Sequence, residues 1–243
     1  MWRSKSKLLN KLMNPKRIQL LGMALLALTS LALAQDVVNL KRAPKVGNTL
    51  KFALKAELDI QGTPVVVTAS VTDKVTKAED GKYTVETSQT DLKINDMEAP
   101  GGGGDDTSTS TYNLLGKLLE TKSAQEDDGS KRMSVLQSFE VPDKELKVGD
   151  TWTINNAAEP KFRNVASKID YKVEAKEKVG KWETLKVTFT AKEATGETPA
   201  SATGTYWISI EDKDVVKYES SWTNAPFPMV GPQSAKVTLT RVE

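Results

Sequence analysis

The chain contains no histidine and no cysteine. Ser-His-Asp and Cys-His catalysis therefore lack their base, and His-based zinc sites lack their ligand. A hydrolase would need a carboxylate pair or a serine beside a lysine. Carboxylates are plentiful, among them Glu86, Asp91, Glu174, Glu183, Glu211 and Asp212. Nearly all fall on the polar parity of a strand pattern or in a turn, where solvation accounts for an acid. A Ser-x-x-Lys spacing occurs in Ser4-Lys5-Ser6-Lys7, inside the leader described below. The run Gly101–Gly104 could cradle a phosphate only with a strand before it and a helix after it, usually with a lysine. Asp105 and Asp106 follow instead, and they lack the spacing of a calcium loop, so the run reads as a linker. No catalytic residue, metal or cofactor is expected.

Binding residues are the other possibility. Trp222, Phe227, Met229 and Val230 lie in an apolar, proline-rich stretch that runs to Pro232. As a loop, Asn224–Gln233 could close over a concave face and hold an apolar ligand. The competing reading is an ordinary core plug. Trp152 could stack on a ligand or anchor the core, and the second reading is favoured because aromatics dominate buried area.

These residues need a scaffold, and the chain supplies one after a leader. Residues 1–34 read as a signal peptide. Six basic residues from Arg3 to Arg17 precede an apolar run from Ile18 to Leu33, and Ala32-Leu33-Ala34 is an A-x-A cleavage site. The run is shorter than the ~20 residues a spanning helix needs. No later stretch is long enough to span, so no membrane span is expected after cleavage. Six of the 34 Lys and Arg lie in the leader; the 28 that remain face 32 Asp and Glu, a net charge near −4. That balance excludes a nucleic-acid partner. An exported chain without cysteine has no disulfide to lean on and must be held by its core.

From Leu50 the pattern has a period of two. Leu50, Phe52, Leu54, Ala56, Leu58 and Ile60 share one face, and Lys51, Lys55, Glu57 and Asp59 the other. Val65, Val67, Ala69 and Val71 continue it, and Asp80-Gly81 marks a hairpin. Ser108–Thr121 reads as a strand with a turn or bulge at Gly116, although Leu114, Leu115, Leu118 and Leu119 also fit helical spacing. A strand through Met133, Val135 and Phe139 is expected to end at Pro142, which cannot donate a ladder bond. Lys147-Val148-Gly149-Asp150 is a turn that opens a new strand at Thr151, and it echoes Lys45-Val46-Gly47-Asn48. Further alternating strands follow through Leu239.

The expected fold is all-β: an antiparallel meander forming a curved sheet, a half-barrel or two similar packed β halves, preceded by a signal-peptide helix. The halves are expected at 35–141 and 142–243, joined as one compact unit.

Pro142–Trp152, with its V-G-D-x-W run, the strand Gly204–Ile208 and Val215–Tyr218 together resemble exported bacterial proteins of uncharacterised domain families. The resemblance covers mainly residues 139–222. It implies an all-β envelope protein, akin to half-barrels that carry lipoproteins or lipids, and it implies no catalytic residues. The expected function is an exported, non-catalytic β-protein, periplasmic or extracellular, with a lipid, another apolar ligand or an envelope protein as its partner. The alternatives are an assembly module that docks by sheet edges and a carboxylate-based hydrolase.

Overall fold

A computed structural model describes residues 37–60, 62–99, 107–123, 128–227 and 231–242. The leader with its cleavage site, the run Gly101–Gly104, Asp105, Asp106, Met229 and Val230 lie outside the described residues. Residues 37–243 form one compact unit.

The strands are β1 (Thr49–Ile60), β2 (Thr63–Glu79), β3 (Lys82–Ile94), β4 (Met97–Glu98), β5 (Thr107–Asn113) and β6 (Leu118–Ser123), then β7 (Thr151–Asn156), β8 (Ser167–Val179), β9 (Trp182–Glu193), β10 (Ser201–Ser209), β11 (Val215–Phe227) and β12 (Gly231–Val242). They make one curved antiparallel sheet in the order β6-β5-β3-β2-β1-β12-β11-β10-β9-β8-β7, with β4 paired to β3. The expected all-β curved sheet is therefore present, and it does not close into a barrel. Neighbours along the path are antiparallel, so after eleven strands the two edges, β6 and β7, run the same way.

The expected periodicity holds in β1, where Phe52 and Ala56 are buried and the alternate residues are exposed. Gly116 forms the turn between β5 and β6, as the strand reading required. Its φ is +91°, and a Cβ there would collide with the Phe139 carbonyl oxygen and the Arg42 guanidinium. The two Val-Gly turns share one bonding pattern. Gly47 N donates to Val75 O at 2.8 Å and Val75 N to Asn48 O at 2.9 Å. Gly149 N donates to Val173 O at 2.9 Å and Val173 N to Asp150 O at 2.9 Å. A register shift follows each clamped valine, at Val75/Lys77 and Val173/Ala175.

Two expectations are corrected. The strand through Met133 and Val135 is instead α1 (Asp128–Leu136). Met133 and Leu136 stand three apart and both are buried, which a helix satisfies as well as alternation would. Arg132 fixes α1 by gripping buried Glu193 with two bonds, at 3.0 and 2.5 Å, while Ala200 N donates to the same carboxylate at 2.6 Å. The loop at Asn224–Gln233 is instead a strand hairpin, in which Pro226 pairs with Pro232. Those prolines are tolerated because the hairpin overhangs the sheet. The β10 pairing ends at Thr223 and the β1 pairing ends at Ser234.

The segment after α1 crosses the sheet interior without joining a strand. Its carbonyls find side chains instead. Gln137 O accepts from Tyr206 Oη at 3.0 Å and Ser138 O from Tyr171 Oη at 3.2 Å. Phe139 O accepts from the Arg42 guanidinium at 3.4 and 3.5 Å, and Glu140 O from Trp152 Nε1 at 2.9 Å. On the other flank Val141 N donates to Leu115 O at 2.9 Å. This strut thus bridges the β5–β6 turn to β7. Beside it Leu118, Val135 and Phe162 pack together. The cavity they help line is about 20 Å³, no more than about one water.

The tyrosines of this core offer a paired test. Tyr206→Phe leaves the Gln137 carbonyl without its donor and is expected to cost about 1–3 kcal/mol in urea unfolding. Tyr218 lies 4.8 Å from Tyr206, ring to ring, but its buried hydroxyl has no partner among the described residues. Tyr218→Phe is therefore expected to be neutral or stabilising in the same experiment.

Candidate functional site

Of the acids singled out from the sequence, Glu183, Glu211 and Asp212 fall near one another, since Ile210 N donates to Glu183 O at 2.9 Å, while Glu86 and Asp91 lie on β3 and Glu174 on β8. Glu86, Asp91, Glu183 and Glu211 are exposed. Glu174 is held by Lys172 at 3.0 Å and by Thr188 at 3.1 Å, and Asp212 by Arg241 at 2.7 Å. Trp152 is stacked on Tyr171 at 4.9 Å. Trp222 is only 3% exposed and donates its indole N–H to Ser220 Oγ at 2.8 Å. Both tryptophans are core anchors. Phe227 is half-buried against the same core.

The interior of the sheet is unevenly covered. Over β8–β11 the strut and α1 fill it, and Leu146, Val173, Leu185, Val187 and Ile208 have no exposed surface. Toward β4 the cover ends. One cross-strand row shows this directly, because paired residues share a face. The row runs Val237, Ala56, Val67, Ile94, Met97. Exposure rises along it, from 9% and 8% at Val237 and Ala56 to 37% at Ile94 and 69% at Met97. Leu58 and Val65, themselves a pair, lie half-buried on the same face. The result is an apolar shelf continuous with the core.

The opposite end of the strands is charged. Arg42 in the lead-in joins several elements there. Its backbone N donates to Leu114 O at 2.9 Å, its guanidinium reaches Phe139 O, and its Nε lies 4.0 Å from Asp214. Burial pushes the Asp214 carboxyl up to about 6, with Arg42 and Arg241 opposing the shift and Asp212 and Asp73 adding to it. Asp73 is also raised by burial, against a 2.5 Å hydrogen bond from Thr87 Oγ1. Neither acid was among the sequence candidates. Asp73 had a legible signal: it is a carboxylate on the apolar parity of β2, after Val67, Ala69 and Val71. Asp214 had none, since it looks like any acid in a polar turn.

A larger recess of about 310 Å³ is an open dish across β7–β9. Its polar rim includes Thr151, Thr153, Asp170 and Lys172, and Thr153 Oγ1 already donates to Asp170 at 2.5 Å. Among the described residues no cluster of three acids is placed to hold a metal ion.

Asp214 makes a prediction about pH. Its folded value, near 6, lies above the ordinary 3.8, so the folded state holds the proton more tightly. The group therefore adds stability as pH falls from about 6 toward 4, and withdraws it as pH rises. The stability of the wild type minus that of Asp214→Asn, from urea unfolding, is expected to be larger at pH 5 than at pH 7.5. The carboxyl is still 36% exposed, so the change is expected to be modest.

No family model and no curated protein matches this chain. Among solved structures, the hypothetical lipoprotein YmcC from Escherichia coli (K12) is similar at 11% identity and a TM-score of 0.35, over 84% of this chain and 86% of that one. A putative exported protein with a YmcC-like fold from Bacteroides fragilis NCTC 9343 is similar at 11% identity and 0.35, over 86% of this chain and all of that one. A DUF1329 family protein from Desulfovibrio piger ATCC 29098 gives 10% identity and 0.25, over 81% and 85%.

Proposed function

We propose that this chain is an exported, non-catalytic β-protein of the bacterial envelope that holds an apolar ligand, or an apolar segment of an envelope protein, on the shelf made by β1–β4. The observation that carries this reading is the row from Ala56 to Met97, whose exposure rises from 8% to 69% without a change in apolar character. Burying such a shelf gains roughly 25 cal/mol per Å² of apolar surface, which gives an acyl chain or an apolar side-chain stripe a reason to lie there. The covered half contributes rigidity. Its core is already filled, so the ligand rests on the sheet without being enclosed by it.

Export is supported by the leader pattern and the A-x-A site ending at Ala34. Among the described residues no helix is long and apolar enough to cross a membrane. A non-catalytic role is supported by the absence of histidine and cysteine from the chain and by the exposure of Glu86, Asp91, Glu183, Glu211 and Asp212 to solvent. Of the three raised carboxyls, Asp73 and Asp214 face the Arg42 cluster at the far end from the shelf, where each already has a partner, and Glu140 on the strut is raised by burial against the opposing charge of Lys117.

Native mass spectrometry of the protein purified from its own envelope, followed by organic extraction, tests the reading. A co-purifying apolar molecule that is lost in Ile94→Asp and Met97→Asp, with unfolding midpoints unchanged, is the expected outcome. An empty chain that also fails to take up an added long-chain fatty acid would contradict it.

A further inference from the structure

The repeated Val-Gly turn has a consequence for the sheet edge. Asn48 and Asp150 are equivalent, because each accepts from the clamped valine of the following strand. That phase turns the N–H and C=O of Thr49, Lys51 and Ala53 away from β2, and those of Thr151, Thr153 and Asn155 away from β8. On β1 the outward groups meet β12, with Lys51 opposite Val242 and Ala53 opposite Thr240. On β7 the equivalent residues, Thr153 and Asn155, have nothing beside them among the described residues, since β7 ends the sheet.

The two edges of the sheet are not treated alike. β6 is blunted: Glu120 and Lys122 form a pair at 3.0 Å, and Lys161 Nζ takes the outward carbonyl of Leu119 at 3.2 Å. β7 reads Thr-Trp-Thr-Ile-Asn-Asn, without a charge, a proline or a register shift. These are the devices that otherwise stop an edge from pairing. Solvent also reaches past β7. Trp152 and Ile154 are half-buried, whereas their cross-strand partners on β8, Tyr171 and Ile169, are 3% and 1% exposed.

We propose that the free edge of β7 accepts, antiparallel, an extended segment of a partner protein whose side chains alternate as those of β12 do. The segment takes the place on β7 that β12 takes on β1. Its main chain bonds to Thr151, Thr153 and Asn155, and every second side chain is apolar, completing the cover over Trp152 and Ile154. A second copy of this chain does not supply it from β12, which is already paired on both sides by β11 and β1. This site is separate from the apolar shelf on β1–β4 and stands without it.

The equivalence names its own probe: a labelled peptide with the sequence Ser234–Val242. Fluorescence anisotropy against the full chain is expected to show saturable binding. The peptide carrying Thr240→Pro, whose proline falls opposite Asn155 as Thr240 falls opposite Ala53, is expected to bind at least tenfold more weakly, because proline interrupts strand pairing. Thr153→Pro in the protein is expected to abolish binding. The Thr153 N–H points away from β8, so that change removes no backbone bond within the sheet, although it does remove the bond from Thr153 Oγ1 to Asp170. Asn155→Lys, checked for an unchanged unfolding midpoint, gives the same reading through charge should the proline variant fold poorly. No saturable binding of the parent peptide up to millimolar concentration would overturn the proposal. So would equal binding by the Thr240→Pro peptide, or binding undiminished in Asn155→Lys.

Discussion

Four consecutive backbone carbonyls, from Gln137 to Glu140, are partly buried with no strand to pair with. A buried carbonyl left without a donor costs about as much as a lost hydrogen bond, so four in a row would consume much of a domain's stability. The structure answers with four side-chain donors, one per carbonyl: Tyr206, Tyr171, Arg42 and Trp152. Much else depends on that solution. The donors come from β10, β8, the lead-in and β7, and Val141 N donates to Leu115 O in the β5–β6 turn, so the strut is tied to both ends of an open sheet. Phe139 then packs its ring 4.7 Å from Tyr206 and 5.6 Å from Tyr171, and the same aromatics that donate also form the core. The Gly116 turn needs glycine because Arg42 and the Phe139 carbonyl occupy the space a side chain would take.

An open sheet must do something with its uncovered surface. Here one part of the interior is sealed by the strut and α1, and the part near β4 is left apolar and wet. The outer faces of the strands are managed differently. Lysine and an acid alternate two residues apart along β1, β8 and β11, at 2.7 Å for Lys55–Glu57, 2.7 and 3.0 Å on β8, and 2.6 Å for Lys217–Glu219. Such exposed pairs add little stability, but they keep those faces solvated. The contrast makes the bare shelf and the uncharged β7 edge stand out as the places where solvation was not enforced.

Much of the fold could be read from the chain because a half-buried strand has a rigid period. β1 is legible residue by residue, and Asp80-Gly81 and Gly116 sit where the backbone turns at positive φ. α1 was not legible. Met133, Val135 and Phe139 alternate like a strand, while Met133 and Leu136 fit a helix, and only the space beneath β11 decides between them. The β11–β12 hairpin was hidden by its prolines, which are harmless there because Pro226 and Pro232 lie beyond the ends of the β10 and β1 pairings. The carbonyl donors were invisible for a different reason. Trp152, Tyr171 and Tyr206 announce themselves as core residues, but nothing in a sequence says which backbone oxygen their polar tips will reach. The shelf could not be read either, since Val67, Ile94 and Met97 carry the same alternation as the covered strands. Their exposure depends on where α1 and the strut stop.

Native-state hydrogen exchange at Val141 is the most direct measurement of whether the strut holds the sheet together. Its N–H is the bond from the strut to the β5–β6 turn. If the strut is integral, Val141 exchanges only through global unfolding, with the same opening free energy as the amides of Tyr171 and Val187, and Tyr206→Phe lowers all three together. Fast exchange at Val141 while Tyr171 and Val187 stay protected would contradict this account, and would show a sheet that stands without its strut.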